Sequence, residues 1–170
     1  DQPVKEGQPW RPVGVHGVIS RSVAELLTVY RDEHAVEFTA LALSNVYGSR
    51  QLPAAGVVAA FANALGEGVT PMVHGDGRQT RDFLYIDDAV DALVRAAQKG
   101  NGLVVNVGTG VATSIRDLWS LMAGPDGRPP APSPRRQHDV ARFVISPTRA
   151  RIHLAWAPWT DLAVGLRGLG

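Results

Sequence analysis

The chain has 170 residues, 45% of them hydrophobic, and its 17 Lys and Arg against 16 Asp and Glu leave a formal charge of +1. That length and apolar content support one globular domain and exclude a disordered chain, while near neutrality removes the electrostatic footprint of a nucleic-acid or anionic-membrane binder. Cysteine is absent, which excludes disulfide frameworks, zinc-thiolate sites and thiol nucleophiles, and no stretch approaches ~20 uninterrupted apolar residues. These features predict a soluble, cytoplasmic protein. A chain that opens at Asp1 without a methionine is expected to be a piece of a longer one.

In chain order, the Pro/Gly-rich opening 8–14 reads as an ordered loop. Val23, Leu26, Leu27 and Tyr30 then recur at helical spacing after Ser20 and Ser22, which predicts a helix over 21–34 capped by a serine. The near-continuous apolar run 36–43 predicts a strand covered on both faces, and a helix followed by such a strand is the order of a parallel α/β sheet. A helix is expected over 54–65, short strands over 71–74 and 83–85, and a helix opened by Asp87 as N-cap and closed by Gly100. The pair Asp87-Asp88 is read as capping and dipole stabilisation, with no chemistry assigned. A strand follows over 103–107. Ser114 should cap a short helix, Ser146-Pro147 should open another and Thr160 the last, with the Pro-rich 124–134 as a connection and Trp156 and Trp159 closing the core. The five histidines lack metal-ligand spacing.

Five tags occur in series: Asn45-Val-Tyr-Gly48, the stretch His74 to Phe83 with its Gly-Asp-Gly and Arg-Asp-Phe, Tyr85-Ile-Asp-Asp88, Asn106-Val-Gly-Thr-Gly110, and Ser146 to Arg151 with Trp156. Each alone is weak; in this order they resemble the second half of the extended short-chain dehydrogenase/reductases, the NAD-dependent epimerase/dehydratase family in its UDP-glucose 4-epimerase-like branch. The resemblance implies an α/β fold made of the C-terminal part of a Rossmann-type parallel sheet plus a small α/β substrate-binding domain, with the N-terminal βαβ half absent. Residues 1–170 would form the substrate-binding half, and 1–50 the end of the Rossmann-like domain. No Gly-rich dinucleotide fingerprint follows an early buried strand here. The 106–110 loop lacks the third glycine and the downstream acid, and reads as a turn that lets backbone pack closely.

The family's Tyr-x-x-x-Lys pair is not recovered. Anchoring on Ala24-Glu-Leu-Leu27 puts Gly17 and Arg21 at the two positions; anchoring on the family's Tyr-Gly-Val puts His16 and Ser20 there. His16 is therefore either a substitute proton carrier or a loop residue, and Arg21 either a retained positive charge or a solvated helix residue. By resemblance NAD is the cofactor of the full-length parent.

The substrate side matches better. Arg81 and Arg136 stand where the family grips a diphosphate, a task suited to the planar guanidinium fork; a structural ion pair is the competing role for Arg81, and Arg135 is an alternative to Arg136. Asn45 ends the long apolar strand, where ligands of open α/β sheets bind, or else it is a turn residue. Asp139 matches the acid that contacts ribose, or is a solvated partner of the adjacent arginines. Alternation puts Met72 and His74 on one face, at positions flanking the uracil, against the alternative of a packed strand. The resemblance implies a nucleotide-sugar ligand, UDP-linked by preference, and hydride removal and return on its sugar by NAD. A non-catalytic descendant that binds a nucleotide-sugar or a protein is the alternative. A homodimer through residues 20–35 and 54–65, or association with the missing N-terminal half, is the expected partnership.

Overall fold

A computed structural model describes residues 2–99, 101–135 and 139–169. The first helix, α1, spans Gly14–His34 and so begins well ahead of the expected residue 21, with extended Val13 before it. Pro12 lies just outside, where it breaks no helical hydrogen bond. Ser20 and Ser22 are not caps: their hydroxyls donate to the carbonyls of His16 and Val18, each at 3.0 Å, so mid-helix serines are satisfied by the turn behind them. The helix ends at Ala35, with φ 54°, whose N–H reaches the carbonyls of Arg31 and Tyr30. Only Ala24 of this helix is buried. Val15, Val18, Ile19, Val23 and Leu26 all stand at least half exposed.

Strand β1, Thr39–Leu43, runs parallel to a strand at Leu103–Val107, with Thr39 opposite Leu103 and Leu43 opposite Val107. Residues 36–38, expected to be strand, stay outside because the chain turns at Gly102, with φ +69°, immediately before Leu103. Next come β2 (Asn45–Tyr47), a 3-10 turn at Pro53–Ala55, α2 (Val57–Gly66), β3 (Met72–His74), β4 (Thr80–Arg81), β5 (Phe83–Tyr85), α3 (Ile86–Ala96) and β6, the Leu103–Val107 strand already met. The chain closes with β7 (Thr113–Ser114), α4 (Ile115–Ala123), β8 (Ala131–Ser133), β9 (Arg142–Phe143), α5 (Thr148–His153) and α6 (Leu162–Arg167). β2 pairs in parallel with β5 and β3 with β8, while β4 lies between antiparallel β7 and parallel β9. The α/β architecture with parallel pairing is the expected one.

Several ends differ from the sequence reading. Helix α3 begins at Ile86, after extended Tyr85, with no side-chain cap. Asp87 and Asp88 occupy its first turn, where a negative charge suits the helix dipole. Asp88 is also fully buried, and its carboxylate accepts from Thr160 N at 3.2 Å and Thr160 Oγ1 at 3.1 Å, anchoring the C-terminal segment. Ser114 does cap α4, accepting from Asp117 N at 3.0 Å. Trp156 is 1% exposed and donates its indole N–H to the Asp88 carbonyl, but Trp159 is 60% exposed and closes nothing.

Alternation along β5 divides the core. Phe83 joins Tyr47, Phe61, Leu118 and Trp119 on one side, and Leu84 joins Val105, Val107, Leu154 and Trp156 on the other, as side chains of successive strand residues must point to opposite faces. Burial pushes the Tyr47 phenol above its ordinary value, with the Asp88 and Tyr85 charges adding to the effect.

Candidate functional site

Parallel β1 and β6 end side by side at Leu43 and Val107, and the chain just beyond both ends converges on Asp82, which is fully buried. One carboxylate oxygen accepts from Thr109 Oγ1 at 2.7 Å, Thr109 N at 2.8 Å and Ser44 Oγ at 3.4 Å. The other accepts from Gly110 N at 3.0 Å and Ile145 N at 3.4 Å. A buried carboxylate can be kept only with such a set of donors. A Cβ on Gly108 would lie 2.7 Å from both Asp82 Oδ2 and Ile145 Cγ1, so glycine is required there by close packing. Asp82 escaped the sequence reading. Its one local signal is an acidic residue set directly against Phe83-Leu84, where an apolar residue would be the simpler choice.

On the solvent side of this junction sits Arg81. Its Nη1 donates to the carbonyls of Thr80 at 2.8 Å and Val140 at 2.7 Å, and its Nη2 to Asp139 Oδ1 at 2.6 Å. Both members of the Arg81–Asp139 pair are mostly covered, at 17% and 16% side-chain exposure. A guanidinium has five N–H donors, so Nε and one Nη2 hydrogen of Arg81 carry no partner among the described residues. Both roles weighed for Arg81 thus remain compatible: it makes a structural ion pair and retains donors.

The segment that holds Arg81 also reaches β3. His74 Nδ1 lies 3.1 Å from the Pro134 carbonyl; a carbonyl only accepts, so Nδ1 bears the hydrogen. Met72 is exposed, Val73 buried and His74 partly exposed, the alternation expected for one outward face. Arg136 lies outside the described residues. Arg135 donates to the Asp139 carbonyl at 3.5 Å. Asn45 opens β2 opposite Phe83, is exposed, and anchors by its backbone N–H to the Asp82 carbonyl at 2.9 Å. His74 is therefore tied to Pro134, and Arg81 to Asp139 and Val140, with Asn45 attached through Asp82.

The two residues at the degenerate catalytic positions are not brought together. His16 is exposed on the first turn of α1, and Arg21 is held by Glu25 one turn on, at 2.7 Å. Arg21 lines a cavity of about 460 Å³ with Trp10, Glu25, Thr28 and Val104, and His16 does not. A larger cavity of about 670 Å³ lies elsewhere, between Val73, Asp76, Arg116, Trp119 and a run of prolines, and none of the sequence-derived site residues among the described residues lines it. Beside it the Arg78 N–H, and then the charges of Arg78 and Arg116, hold the exposed Asp76 carboxyl below its ordinary value. The site is better placed by the strand ends than by cavity volume.

A dinucleotide phosphate needs free backbone amides at a glycine loop. In the 108–110 loop the Thr109 and Gly110 amides both donate to Asp82, and Gly108 is packed against it. The loop does not fit a dinucleotide; it is a structural turn.

Charged side chains gathered at the carboxyl ends of parallel strands mark the class of α/β proteins that receive ligands at their strand ends. The model of the NAD dependent epimerase/dehydratase family matches residues 1–108, and the chain belongs to that family. It is 42% identical to a UDP-glucose 4-epimerase of Mycolicibacterium smegmatis, over 98% of this chain and 53% of that protein. Among solved structures it is similar to a UDP-glucose 4-epimerase of Thermotoga maritima solved with UDP-glucose, with TM-score 0.93, 35% identity, and coverage of 97% of this chain and 55% of that one. A UDP-glucose 4-epimerase of Thermus thermophilus solved with NAD has TM-score 0.86 and 29% identity, covering 97% of this chain and 57% of that one. The chain spans about half the length of the curated relatives it matches, and its α/β fold corresponds to the C-terminal half of such epimerase structures.

Proposed function

We propose that this chain provides the nucleotide-sugar-binding face of an NDP-sugar epimerase/dehydratase, with a UDP-sugar as ligand. The observation that carries the reading is Arg81, clamped beside the ends of the parallel strands with Nε and one Nη2 hydrogen uncommitted among the described residues. A guanidinium held in a fixed plane loses little freedom when it meets phosphate oxygens. Arg136 would supply a second cation, Asp139 a ribose contact, Asn45 a phosphate or sugar contact, and Met72 and His74 the walls for the base. In the complete protein NAD would remove and return hydride at a sugar carbon, held by residues other than those of the 108–110 loop, and residues 1–50 would continue the dinucleotide domain.

A second reading is favoured by one observation: His16 stands exposed and Arg21 is bound to Glu25, so neither is set up as an acid/base pair. On that reading the protein binds a nucleotide-sugar without turnover. The exposed apolar row along α1 supports association with a second copy or with the remainder of the family fold.

Calorimetric titration of UDP-glucose into the purified chain, with and without NAD, tests the proposal. Saturable UDP-glucose binding that is lost in Arg81→Gln supports it, and turnover by the complete protein supplied with NAD separates the enzyme from the non-catalytic binder. No binding of UDP-glucose under either condition would overturn it.

A further inference from the structure

Three chain segments that carry or flank the candidate contacts meet on one side chain that no ligand can reach. The β1–β2 junction reaches Asp82 through the Ser44 hydroxyl and the Asn45 N–H, the β6 exit loop through Thr109 and Gly110, and the approach to α5 through the Ile145 N–H. Arg81 is its covalent neighbour. The geometry points to Asp82 as a positioning residue for the anion site, which sets the Arg81 fork and the Asn45 amide relative to each other; this rests on the nucleotide-sugar reading above.

The argument is one of direction and burial. A carboxylate only accepts, and five donors from segments far apart in sequence are aimed at its two oxygens, so its location is over-determined. With Asp82 fixed, the peptide that links β4 to β5 cannot rotate, and Arg81 leaves it in one direction, to be completed by the Val140 carbonyl and Asp139. Asn45 is held by the Asp82 carbonyl itself. A binding constellation needs its donors held to within about 0.5 Å of the productive position, and buried partners of this kind supply that precision. Asp82 is fully buried and acts only through its neighbours.

The test compares UDP with uridine, which lacks the phosphates, by titration into the wild-type chain, Asp82→Asn, Thr109→Val and Thr109→Ser, each well below its melting midpoint. Asp82→Asn is expected to raise the Kd for UDP on the order of tenfold, and Thr109→Val about threefold, with Thr109→Ser restoring wild-type affinity and uridine unaffected throughout. Should Asp82→Asn fail to fold, the two Thr109 variants decide, because the backbone donors to the carboxylate remain in both. Unchanged UDP affinity in a folded Thr109→Val with a lowered Tm overturns the positioning role and leaves the nucleotide-sugar reading standing. Equal weakening of UDP and uridine also overturns it, since that is general loosening. A wild-type chain that binds no UDP removes both.

Discussion

The junction around Asp82 and the N-terminal turns of α1 are two regions to which the family resemblance assigns work, and they are built in opposite ways. At the junction a buried carboxylate is saturated by donors drawn from three other parts of the chain, and Gly108 and Ile145 close in around it. On α1 the side chains at the degenerate catalytic positions make only local contacts, such as the Arg21–Glu25 pair and the Ser20 bond back to His16. A group fixed by long-range contacts holds its geometry against solvent, whereas one held by an exposed i,i+4 pair is worth a few tenths of a kcal/mol and moves freely. The difference teaches that the side proposed to meet the ligand is held by long-range contacts, and that the degenerate positions on α1 are not.

The largest effect should come from filling the junction. Gly108→Ala places a methyl where Asp82 Oδ2 and Ile145 already stand, and is expected to destabilise the fold by about 3 kcal/mol in urea unfolding. A loss below 1 kcal/mol would mean that the junction yields, and the contrast with α1 would weaken. An intermediate effect is expected in the core behind Asn45. Because burial raises the Tyr47 phenol above its ordinary value of 10.0, the unfolded chain ionises first. The stabilisation is therefore fully present below pH 10 and is lost as pH rises beyond it, on the order of 1 kcal/mol per pH unit. Alkaline melts of wild type and Tyr47→Phe check this, with the steeper decline expected in wild type alone. The smallest effect belongs to α1: His16→Ala and Arg21→Ala should each change stability by less than about 0.5 kcal/mol and leave the UDP affinity untouched. A marked loss of UDP binding in either would show that the two regions are coupled after all.

Much of the secondary structure was legible because its signals are local. β5 and β6 lie where apolar runs placed them, Ser114 caps α4, and the parallel α/β order follows from helix-then-strand succession. The start of α1 was misplaced because serine reads the same whether it caps a terminus or bonds back within a helix. Trp159 was misplaced because an aromatic residue carries no mark of which side of the chain it faces.

Asp139 and Arg81 stand out by type and position, yet their pairing joins residues 58 apart and is visible only in space. Asp82 and Asp88 were passed over as chemistry, and as anchors as well, because their partners lie 27, 28, 63 and 72 residues away. The sequence by itself determined the fold class, the family likeness and the residue types able to meet a diphosphate, since these depend on composition, periodicity and short motifs. Only the tertiary structure decided which acidic residues are buried hubs, that the Thr109 and Gly110 amides of the Gly-rich loop are already engaged, and that His16 and Arg21 stand apart. Those outcomes depend on which distant donors arrive at a buried acceptor, and that is a property of packing.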